Sequence, residues 1–198
     1  MKLMSTWAAR YVRRGAGAER AKDVSRLQDR MDPGAELHDD GKSAFALWIV
    51  SAPMFQPDDV AALSKDFGEA LSVSVQTVAD LVIYDRYVGG ACVRGLTYAG
   101  EAGWIRVVGE PEPWEGKTLF SAAKLAELSE ELEGDLEGEL LAREKAELER
   151  LWKAGTLVEG KTRPPADPAV LSRALEKHFG LPARPVGSYP KSGTLPRA

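Results

Sequence analysis

The chain has 198 residues, 44% of them apolar and 28% charged, with a net charge of −4. That suits one globular domain with tails, and the acidic balance argues against a general nucleic-acid binder, so no nucleic-acid partner is expected. One cysteine, Cys92, rules out an internal disulfide, and no apolar run reaches the ~18 residues of a membrane span. Without a secretory h-region in residues 1–30, a cytoplasmic location is expected.

Residues 1–42 read as a basic extension and linker. Leu3, Trp7 and Tyr11 recur every four residues, with Arg10, Arg13 and Arg14 mostly away from that stripe. The spacing predicts an amphipathic helix that could lie on a membrane surface, dock on a partner or fold onto the protein's own core. A second helical piece is expected over about 19–30. The stretch DPGAELHDDGK, 32–42, reads as a turn-rich linker.

An α+β core domain is expected over 43–120, with a mainly antiparallel sheet in the order β-α-β-β-β-β and a helix packed on it. SAFALWIVSA is apolar on both faces and predicts a central strand. Pro57-Asp58-Asp59 opens a helix that Gly68 ends. LSVSVQT alternates as a half-exposed strand. DLVIYDRYV and ACVRGLTYA flank Gly89-Gly90, a hairpin turn, and WIRVVG returns as the last strand.

Residues 121–180 predict helices. Leucines 125, 128, 132, 136 and 140 form a stripe, and Gly134 and Gly138 predict a bend or break. Seven of the thirteen residues 127–139 are acidic and none is basic, which predicts a solvated face. Asp167 as N-cap, Pro168 at the first helical position and Gly180 past the end bound a last helix. Residues 181–198 form a Pro/Gly-rich tail.

Chemistry-bearing motifs are few. Two histidines, His38 and His178, and one cysteine give a Cys/His metal site almost nothing to use, so no metal or cofactor is expected. No phosphate-binding loop or nucleophile elbow is present, and Cys92 on a strand reads as a plain buried thiol. No catalytic residue is assigned.

The segment GWIRVVGEPEPWEGKTLF, 103–120, concentrates aromatic and acidic residues. Glu110 and Glu112 each precede a proline and are pushed towards extended geometry. The segment reads as a stiff spacer that delivers Trp114 either onto the sheet or to a partner. Trp104, Arg106, Glu110, Glu112, Trp114 and Glu115, with Tyr84, Arg86, Tyr87 and Arg94 from the preceding hairpin, make a candidate surface for a protein partner with basic residues. The function expected is a non-enzymatic interaction module, an immunity- or adaptor-like protein or an assembly subunit. One alternative is a carboxylate hydrolase acting on a polar substrate such as a glycan, through Glu110, Glu112 or Glu115 with Asp80 and Asp85 nearby. The other is peripheral membrane association through residues 1–14.

Overall fold

In a computed structural model, residues 6–30, 36–49, 57–76 and 79–182 are described. Leu3 and the tail 183–198 lie outside them. The strands are β1 (Thr6–Arg13), β2 (Glu36–His38), β3 (Phe45–Ile49), β4 (Glu69–Gln76), β5 (Leu81–Val88), β6 (Ala91–Ala99) and β7 (Gly103–Val108). The helices are α1 (Ala18–Gln28), α2 (Pro57–Phe67), α3 (Pro113–Thr118), α4 (Ala122–Asp135), α5 (Gly138–Ala154) and α6 (Pro168–Phe179).

Among the described residues, the seven strands join one antiparallel sheet in the order β2-β3-β1-β4-β5-β6-β7. The protein is therefore α+β with a mainly antiparallel sheet, as composition and pattern predict. The first six elements have split β-α-β connectivity: β3 lies between β1 and β2, and β1 between β3 and β4. The remaining strands extend the β4 edge as a meander. At the β5–β6 turn both Gly89 (φ 57°) and Gly90 (φ 91°) take the positive φ that a tight hairpin needs.

Residues 6–13 correct the expected N-terminal helix. They form a strand flanked by β3 and β4, pairing Tyr11 with Leu47 on one side and Leu71 on the other. Tyr11, Val12, Arg10 and Arg14 are all buried. Arg10 reaches Asp59 at 3.1 Å and lies over the Trp48 ring, while Arg14 pairs with Asp39. Trp7 packs half-buried against the core, and Arg13 bonds Glu69 at 2.6 Å. Trp7 and Tyr11 of the stripe assigned to a membrane or a partner are thus spent inside the sheet.

Both faces of the sheet are covered. On one, Leu27 of α1 and Val60 and Leu63 of α2 pack on Val12, Ala46, Trp48 and Ala70. On the other, Trp114, Leu119 and Phe120 and Leu171 and Leu175 of α6 pack on Tyr11, Phe45, Leu71, Val73, Tyr84 and Leu96. Strand β4, expected to be half-exposed, is buried along both faces, and its Ser72 and Ser74 lie on the inside.

Helices α4 and α5 form a hairpin with its own cluster of Leu128, Leu132 and Leu148. The break falls between Asp135 and Gly138, where the glycine-weakened stretch predicts it. Trp152 ties the hairpin's base to the body: its ring meets Phe120 edge-on at 5.4 Å and its Nε1 donates to the Ser121 carbonyl. Helix α6 is capped as its sequence predicts. Asp167 accepts from Ala169 and Val170 backbone N–H groups, and Gly180 takes the left-handed conformation.

Candidate functional site

The Trp/Glu/Arg set comes together as an interior ionic network rather than a surface. Glu112 takes the extended geometry predicted before Pro113, and there it is the N-cap of α3. Its backbone N–H donates to the Glu115 carboxylate at 2.8 Å, half of a reciprocal capping box with Pro113 at the first helical position. This box turns both glutamates and Trp114 inward, onto the sheet.

Each carboxylate then meets a set of donors. Glu112 accepts from the Tyr84 hydroxyl at 2.7 Å, Trp114 Nε1 at 2.6 Å and Arg86 Nη1 at 3.0 Å. Arg86 continues to Glu69 at 2.7 Å, which also holds Arg13. Glu115 and Arg94, 0% and 1% exposed, form a two-pronged pair at 2.8 and 2.5 Å. Arg94 also donates to the Val108 and Gly109 carbonyls.

Trp104, Trp114 and Tyr84 are core residues, with Trp114 edge-on to Tyr84 at 5.7 Å. Tyr87 packs in the cluster beneath α1 and α2, on the other side of the sheet. Arg106 pairs there with Asp85 and sits 3.6 Å from Cys92 Sγ, and Cys92 itself is half-buried. Of the ten residues, Glu110 alone is freely exposed, while Arg86 and Arg106 are partly so. The expected interaction surface is thus corrected: its polar groups are spent on one another. The same closure buries Glu112 and Glu115 against internal donors, an arrangement that does not suit the hydrolase role.

Burial and the adjacent Glu112 carboxylate hold the Tyr84 hydroxyl well above its ordinary pKa. Burial and Asp85 push Tyr87 up to about 12. Both stay protonated at neutral pH.

A cleft of about 890 Å³ opens beside this network, where the β5 and β6 ends meet the α3–α4 junction and the start of α6. Four carboxylate residues line it, Asp80, Glu101, Glu127 and Asp167, against one ammonium, Lys124. Asp80 sits at φ 44°, a left-handed conformation that aspartate tolerates better than most side chains. Tyr98 also lines the cleft. Its ring packs edge-on against Trp104 at 5.1 Å, and burial, then Asp80, raises its pKa. Sequence reasoning missed this cleft because its walls come from stretches far apart in the chain. Asp80 was singled out only as a neighbour of the glutamates.

Among the described residues, no helix is long and apolar enough to cross a membrane, and no group of three metal-ligating side chains converges. Comparison with protein families, curated proteins and solved structures finds no match for the chain.

Proposed function

We propose that the protein is a non-enzymatic interaction module whose acidic α4–α5 hairpin engages a basic protein partner. One observation carries the reading: the chain's excess negative charge is gathered on an element outside the sheet's core. Residues 122–154 hold ten acids and five bases, a surplus of five, while the whole chain carries −4. All seven acids of 127–139 are exposed, whereas the leucines between them close the hairpin's own cluster. Helix α4 packs principally on α5 rather than on the sheet. Exposed charge of one sign steers and selects an oppositely charged partner more than it stabilises a fold. An immunity- or adaptor-like protein, or an assembly subunit, fits this arrangement, and a cytoplasmic setting suits its unpaired thiol.

The test is affinity capture from the native host with the wild-type chain and with a variant carrying Glu127→Gln, Glu130→Gln, Glu131→Gln and Glu133→Gln. A basic partner should be captured by wild type, be released as salt rises, and be lost from the variant while circular dichroism stays unchanged. Equal capture by the folded variant would remove the hairpin from the interface.

A further inference from the structure

One buried donor is left without an acceptor, and it borders a cavity. Trp48 of β3 is 3% exposed, and its indole Nε1–H meets no hydrogen-bond partner among the described residues. Three other indoles are satisfied: Trp104 donates to the Pro164 carbonyl, Trp114 to Glu112 and Trp152 to the Ser121 carbonyl. An unmet buried donor is costly, so a fold that keeps one calls for a reason. Trp48 forms the wall of a cavity of about 180 Å³ with Arg10 of β1, Arg30 just past α1, and Asp59, Ala62 and Leu63 of α2. Trp48 and Arg10 are its buried end, whereas the side chains of Arg30 and Asp59, 45% and 55% exposed, are its open end. The rest of the cluster around Trp48 is apolar but for Tyr87, which has Cys92 beside its hydroxyl. The cavity is therefore the side from which an acceptor can arrive.

Charge and size select what that acceptor is. Two guanidinium groups line the cavity against one carboxylate, a surplus of one positive charge. Arg10 gives Nη2 to Asp59 at 3.1 Å, and Arg30 pairs with Asp66, which is not part of the wall. A guanidinium carries several N–H donors in a planar fork, so pairing with one carboxylate does not exhaust Arg30. A single negative charge balances the wall, whereas a dianionic phosphate would exceed the surplus and face Asp59. At ~30 Å³ per water, the cavity has the volume of about six waters. It falls below the ~300 Å³ at which sites for whole small ligands begin. A carboxylate on a short stem fits this space, and a sugar or a nucleotide does not.

We infer that this cavity is a carboxylate-binding site, in which Trp48 Nε1–H donates to one carboxylate oxygen and Arg30 at the open end supplies a charge-assisted hydrogen bond to the other. Arg10, 4.9 Å over the indole ring, adds positive charge at the buried end. The site belongs to the sheet face covered by α1 and α2, whereas Trp152 ties the acidic hairpin to Phe120 on the opposite face. It is therefore separate from the hairpin, and neither reading stands on the other. Two sources share this chemistry, a free small acid and an aspartate or glutamate side chain of a protein.

The experiment is an NMR titration of the ¹⁵N-labelled full chain that follows the indole N–H signals, with the Trp48 signal assigned by its loss in Trp48→Phe. Acetate should move that signal downfield and saturably. Acetamide, which offers the carbonyl without the charge, sodium chloride at matched ionic strength and inorganic phosphate should each move it far less. In Arg30→Gln, a change at the open end that should leave circular dichroism unaltered, saturation should need about tenfold more acetate, the loss of one charge-assisted hydrogen bond. An acetylated and amidated Ala-Glu-Ala peptide separates the two sources: tighter binding than acetate assigns the site to a protein side chain, and weaker or no binding assigns it to a free acid. A Trp48 signal that acetate leaves in place, that acetamide, chloride or phosphate moves equally, or that titrates identically in Arg30→Gln would overturn the inference.

Discussion

At the scale of single residues, a buried polar network and a binding hot spot draw on the same amino acids. The sequence pattern reads Trp, Tyr, Arg and Glu at 84–115 as a surface, whereas the structure buries most of them, because both uses need aromatic bodies with polar tips. The discriminating signal was present in the sequence. Glu112-Pro113-Trp114-Glu115 carries the spacing of a reciprocal cap, with proline at the first helical position. Such a cap fixes which way the following side chains point. Two expectations follow. Trp114→Ala should cost about 3–5 kcal/mol of stability, as for other buried large-to-small changes, measured by urea unfolding. Glu115→Ala should cost a similar ~3–5 kcal/mol, because it leaves the Arg94 guanidinium buried without its counter-charge. A loss below about 1 kcal/mol in either would mean that the segment lies loosely on the sheet.

At the scale of elements, β3, α2, the β5–β6 hairpin, β7 and α6 were legible because their signals are local: caps, turn glycines and short apolar runs. Strand β1 was not. Leu3, Trp7 and Tyr11 are four apart, and residues four apart share a face in a strand as well as in a helix. The alternation that decides between them is hidden, since Ala8 and Arg10 on the second face do not look like core residues. They belong there because Arg10 finds Asp59 and the Trp48 ring. The short strand β2 was lost in a turn-rich stretch for want of length. The hairpin of α4 and α5 has a small core of its own, so it should open more easily than the sheet. Its amides should exchange with solvent well before those of β1, β4 and β5, a comparison that hydrogen exchange measures directly. Equal protection throughout would show the hairpin to be bound into the body more firmly than its packing indicates.

At the scale of the whole molecule, a single sheet covered on both faces makes stability depend on strands remote in sequence. Removal of residues 1–14 would take out a strand paired on both sides, so the truncated chain should show no cooperative unfolding transition. A truncated chain that still melted sharply would contradict the placement of β1. The buried tyrosines also set an alkaline limit. Tyr84, Tyr87 and Tyr98 all have raised pKa values in the fold, first through burial. Unfolded tyrosines lose their protons near pH ~10, so the unfolded state is favoured above that point. The stability these groups contribute is complete below ~10 and falls as pH climbs towards the folded values, about 12 for Tyr87. The urea midpoint should therefore drop between about pH 10 and about pH 12. A flat midpoint over that range would show the hydroxyls to be open to water.

The position of β1 also constrains how the protein can be made. Its pairing with β4 joins Thr6 to Gln76 and Val12 to Ala70. A ribosome adding ~5–20 residues each second takes roughly 3–14 s to deliver the second strand after the first. Through that interval the segment of β1 lacks its β4 neighbour, and Trp7, Tyr11 and Val12 lack part of their cover. Strand β3 can close one side early, but the other waits for β4, so the newborn chain passes through a stage with one strand edge open to pairing with other chains.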